Sequence, residues 1–80
     1  MITIRWRLQE FLEREGITQY KLIQMAQGRV SKNTIGSAVR NELNGVQFST
    51  LAAIIEVLES NLGKEVSISD LIEIRRNDFE

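Results

Sequence analysis

Thr18–Arg40, TQYKLIQMAQGRVSKNTIGSAVR, is the stretch from which the fold of this chain can be read. Leu22, Ile23 and Ala26 recur at helical spacing, the pattern breaks, and Ile35, Ala38 and Val39 take it up again. Gln27-Gly28-Arg29 makes the break, and Gly28 can adopt the left-handed conformation that a tight turn between helices demands. Thr18 suits the N-cap of the first helix, because its hydroxyl can accept a free amide of the first turn. Ser31 suits the same role for the second helix, which the pattern ends near Arg40 or Asn41. Tyr20 and Met25 fall at the edge of the first helix's buried side. Two short helices joined by a turn follow.

The charges of this region are one-sided. Between Gly16 and Arg40 stand Lys21, Arg29, Lys32 and Arg40, while all 11 acidic residues of the chain lie elsewhere. A chain of formal net charge -1 thus collects a cationic segment within an acidic body. At about 100° per residue, Asn33, Gly36, Ser37 and Arg40 cluster opposite the apolar side of the second helix, with Lys32 on the flank. A small, polar and cationic helix face is what a groove lined by phosphates can accept. Gly36 admits two explanations, close approach to DNA or close packing against the preceding helix. Tyr20 and Trp6 read as aromatics at the edge of the core rather than as a base-stacking platform.

Outward from this segment, Leu8, Phe11 and Leu12, with Ile4 one turn earlier, predict a helix from about Arg5 to Glu15, stopped by Gly16. Asn44-Gly45 marks a turn that ends a loop between helices. Ser49 is the expected cap of a fourth helix carrying Leu51, Ile54, Ile55 and Leu58, with Gly63 closing it. Ser69-Asp70 is the expected cap of a short last helix containing Leu71 and Ile72. The ends differ from the middle: Ile2 and Ile4 alternate with polar residues, and so do Ile72 and Ile74. The segment from Ile74 to Glu80 reads as frayed or extended. If extended, the two ends pair as a small β-ribbon, within one chain or between two. The expected class is all-α: a compact five-helix bundle, with the ribbon as its one open question.

Eighty residues make a single domain, and 42% hydrophobic with 26% charged residues is the composition of a folded one. Cysteine and histidine are absent, which removes disulfides, thiolate nucleophiles, imidazole bases and the usual zinc ligands. No cluster of carboxylates, Lys, Ser or Tyr replaces them, so neither an enzyme nor a metal or cofactor is expected. The longest uninterrupted apolar run, Leu51–Ile55, is too short to span a bilayer, and the N-terminal residues lack a signal peptide's order. A cytoplasmic protein without a membrane partner is the expectation.

Thr18-Gln19-Tyr20-Lys21-Leu22 followed by Val30-Ser31-Lys32-Asn33-Thr34-Ile35 resembles the Cro/C1-type (XRE-like) helix-turn-helix family of bacterial and phage repressors. Ser49-Thr50-Leu51-Ala52-Ala53-Ile54 and Val66–Leu71 resemble its later elements, so the likeness covers about residues 5–74. The resemblance implies a Cro/C1-repressor-like bundle and a transcriptional repressor that occupies double-stranded promoter DNA. It implies that Lys32, Asn33 and Ser37 read base edges in the major groove. Phosphate contacts are expected from Gln19, Lys21, Arg29, Ser31, Arg40 and Asn44. A homodimer would present two recognition helices about 34 Å apart to a two-fold operator. The chain departs from the family pattern in Ile23, where a small residue is usual, and in a turn lengthened by about two residues at Gln27–Arg29. The alternative is an antitoxin-like or adaptor module whose acidic surface (Glu56, Glu59, Glu65, Asp70, Glu73) holds a protein partner.

Overall fold

Alternation governs the two ends of the chain and helical periodicity the middle. The computed structural model describes residues 1–76. In it β1 (Ile2–Trp6) lies antiparallel to β2 (Ile72–Arg76), pairing Ile2 with Arg76, Ile4 with Ile74 and Trp6 with Ile72. Between the strands run α1 (Leu8–Glu15), α2 (Gln19–Ala26), α3 (Lys32–Val39), α4 (Phe48–Leu62) and α5 (Ile68–Leu71). The all-α expectation is therefore corrected: five helices carry a two-stranded antiparallel sheet built from the chain's own two ends. β-Branched isoleucines at every second position favour a pleated, half-buried surface over a helix. The expected tail beyond Arg76 lies outside the described residues.

The strand also moves the first helix. With Ile4 and Trp6 extended, α1 begins at Leu8 rather than at Arg5. Two further boundaries shift. Gln47, not Ser49, precedes the first turn of α4, and no side-chain bond caps it. Ser67, not Ser69, is the N-cap of α5, and Asp70 Oδ2 accepts its backbone N–H at 3.0 Å. That bond, foremost, holds the Asp70 carboxyl below its ordinary pKa. Ile72 leaves α5 and opens β2.

Every helix contributes to one core. Leu8 of α1, Leu22 of α2, Ile35 of α3, Ile54 and Leu58 of α4 and Leu71 of α5 are the largest fully buried side chains. Each contributes about 1.5–3 kcal/mol relative to exposure. Leu51 joins them, while Ile55 is only partly buried and packs against the cluster. Trp6 completes the core where the ribbon meets it: its indole Nε1 donates to Leu43 O at 2.8 Å, and its backbone N–H donates to Asn41 Oδ1 at 2.8 Å.

On the opposite face of the ribbon, ion pairs tie it to α1. Glu73 faces Arg5 and Arg7, each at 3.4 Å, and Arg75 at 2.8 Å; Glu10 faces Arg5 at 2.7 Å and Arg7 at 3.2 Å. Arg75 lowers the Glu73 carboxyl pKa most, and Arg5 that of Glu10. Among the described residues no helix is long and apolar enough to cross a membrane.

Candidate nucleic-acid interface

The two caps that aim the interface form as the sequence suggests. Thr18 Oγ1 accepts the Lys21 N–H at 3.0 Å and starts α2. Ser31 Oγ accepts the Thr34 N–H at 3.1 Å and starts α3, while donating to Thr34 Oγ1 at 2.9 Å. The Ser31 hydroxyl is thus engaged in the cap. Lys32 and Asn33 follow on the exposed first turn of α3, with the unbonded amides of a helix start beside them.

The longer turn has a definite shape. Gln27 and Gly28 both take left-handed backbone, at φ 49° and 85°, and Arg29 N–H donates to Ala26 O at 2.9 Å. Val30 then turns inward and is buried, which anchors the start of α3 to the core. Leu22 and Ile35, both fully buried, hold the two helices in register from within.

The outward side of α3 is less open than helical spacing alone predicts. Lys32, Asn33 and Arg40 are exposed and Ser37 is half-buried, but Gly36 is buried. A Cβ at Gly36 would lie 3.1 Å from Arg40 Nη1 and 3.3 Å from Gln19 Nε2, so these two side chains close over the glycine. Both contacts are the ends of polar side chains, one from α3's own C-terminus and one from the start of α2, so Gly36 lies beneath side chains rather than against the backbone of α2. Gln19, Gly36 and Arg40 form one patch across both helices.

The positive charge is also partly spent within the molecule. Arg29 pairs with Glu56 at 2.5 Å, and Arg40 Nε with Glu42 Oε1 at 3.0 Å. Lys21 and Lys32 are exposed and have no ion pair among the described residues. Asn44 is exposed and lines a cavity of about 420 Å³ with Thr3, Ile4 and Trp6. Tyr20, expected at the core edge, is 69% exposed, and its hydroxyl accepts from Gln24 Nε2 at 3.1 Å. Trp6 is buried and belongs to the core.

The acidic residues considered for a protein partner are largely engaged. Glu56 holds Arg29, Glu59 Oε2 accepts the Val66 N–H at 2.9 Å, Asp70 caps α5 and Glu73 braces the ribbon. Asn41 is the structural residue that sequence reasoning missed. It leaves the helical pattern at φ 59° and fastens the edge of β1. Its only signal is that asparagine tolerates left-handed backbone better than most residues. Comparison with family models, with curated proteins and with solved structures yields no match.

Proposed function

We propose that this chain is a sequence-specific DNA-binding transcription regulator of Cro/C1 type, acting in the cytoplasm as a repressor that occupies promoter DNA. The observation that carries the reading is the exposed first turn of α3. There Lys32 and Asn33 project beside a capped helix start, with Lys21, which has no ion pair among the described residues, on the neighbouring helix. Asn33 is the reader of adenine and Lys32 of guanine, each good pair contributing about 1–3 kcal/mol of discrimination. Ser37 lies one turn further along the same helix. Lys21 and the Gln19–Arg40 patch meet phosphates, which position the helix without reading sequence.

Fluorescence anisotropy of a labelled mixed-sequence duplex, titrated at several salt concentrations, tests the reading. The logarithm of affinity should fall with the logarithm of salt by about 0.9 per phosphate engaged. Operator selection follows, and Asn33→Ala should then flatten base preference while Lys21→Ala weakens all sequences alike. Absence of binding at low salt removes the proposal.

A further inference from the structure

The ribbon has two unlike faces. Arg5 and Glu73 stand on one, within the ion-pair cluster. The other starts with buried Trp6 and half-buried Ile72, then continues through Ile4, Ile74 and Ile2, which are 65%, 59% and 58% exposed. Alternate residues of a strand share a face, so an apolar strip that begins in the core runs on beyond it.

The backbone of β1 has a matching open edge. Arg7 N–H donates to Leu71 O at 2.6 Å, which makes these two a bonded pair of the ladder. Bonded and unbonded pairs alternate in an antiparallel ladder. Arg5–Glu73 and Thr3–Arg75 therefore bond across the ribbon, and Ile2, Ile4 and Trp6 direct their N–H and C=O groups outward. Trp6 fixes the parity, since its outward N–H is the one that Asn41 Oδ1 accepts. The outward groups of Ile2 and Ile4 meet no partner among the described residues. Open edges are usually guarded by charge. β2 carries Glu73, Arg75 and Arg76, whereas Ile2-Thr3-Ile4 carries none.

We infer that this edge pairs with the same edge of a second copy of the chain, antiparallel about a two-fold axis at Thr3. The occupant follows from self-complementarity. Setting Ile2 opposite Ile4 of the second copy satisfies the open N–H and C=O groups of Ile2 and Ile4 in both strands at once. A register shifted to set Ile4 against Ile4 requires the edge of Trp6, which Asn41 already holds. The result is a four-stranded sheet in the order β2-β1-β1-β2. Ile2, Ile4 and Ile74 of both copies join on one face, and the two Thr3 side chains meet on the other, with Cβ atoms about 4.5–5.5 Å apart. The overlap is short, so the contact belongs with small, concentration-dependent interfaces. It stands independently of DNA binding, and its failure would leave that reading untouched.

The chain contains no cysteine, so Thr3→Cys places a single thiol on the proposed axis. Under mild oxidation at tens of micromolar, this variant should form a disulfide-linked dimer about tenfold or more faster than Ser60→Cys, a control on the exposed side of α4. Adding Ile4→Lys should return the rate to the control's level with the circular dichroism unchanged. Equal rates for Thr3→Cys and Ser60→Cys would overturn the inference. In the unsubstituted chain, amide exchange at Ile4 should slow as protein concentration rises, while Thr3, already bonded across the ribbon, stays constant. Exchange at Ile4 that is independent of concentration would overturn it too.

Discussion

Asn41 offers the sharpest test of how the helices are fastened to the ribbon. Its side chain supplies the acceptor for Trp6 N–H at 2.8 Å, and its backbone sits at φ 59°. Two substitutions separate these contributions. Asn41→Gly keeps the left-handed backbone at little cost and loses only the bond, for about 1 kcal/mol. Asn41→Ala loses the bond and also strains the backbone, for about 2 kcal/mol in all. In a domain of this size each kcal/mol lowers Tm by about 4–8 °C. Trp6 is the only tryptophan, so its fluorescence reports both the unfolding transition and the opening of the indole's own site beside Leu43. Glycine should therefore melt below the unsubstituted chain and alanine below glycine. Unchanged melting in the glycine variant would refute the role of the bond. Equal melting of glycine and alanine would refute the backbone argument.

Glu56→Gln and Glu42→Gln each release an arginine from its internal partner. If α2 and α3 bind DNA, both variants should bind all sequences more tightly and steepen the salt dependence by up to about 0.9 in anisotropy titrations. Leu22→Ala, in a side chain with 1% exposure, should cost about 2–5 kcal/mol in denaturant unfolding, because it empties the contact between the two helices. Acid should destabilise the fold through Asp70, Glu73 and Glu10, whose pKa values are all held down in the folded state. The sign follows from linkage: their stabilisation is present above the unfolded carboxylate pKa, near about 4, and is lost as pH falls through the lower folded values. Thermal melts should show Tm dropping below that pH, and dropping less steeply in Asp70→Ala.

The helical middle of the chain was legible because its signals are local. Thr18 and Ser31 cap the helices they were expected to cap, since a hydroxyl reaching an amide three residues on needs no other part of the chain. Leu22, Ile35, Ile54 and Leu58 are buried because their spacing alone puts them on one side. Boundaries were harder. Ser49 and Ser69 have the right chemistry for caps, yet Gln47 and Ser67 occupy those positions, because packing sets where each helix enters. Tyr20 shows the same limit, being placed at a core edge by spacing and left exposed by the neighbours it lacks.

The candidate interface divides in the same way. Sequence alone determined that Lys32 and Asn33 follow a helix cap and that every charge between Gly16 and Arg40 is positive. It also determined that isoleucines alternate at both ends, which is the raw material of the ribbon. Tertiary structure decided that those ends, some seventy residues apart in the chain, pair with each other, and so replaced an all-α bundle with helices carrying a sheet. It decided that Arg29 and Arg40 are answered by Glu56 and Glu42, that Gln19 and Arg40 close over Gly36, and that Asn41 holds the edge of β1. Periodicity and capping act over a few residues and can be read along the chain. Strand pairing and charge pairing depend on which residues the fold brings within a few ångströms, and only the folded chain sets that distance.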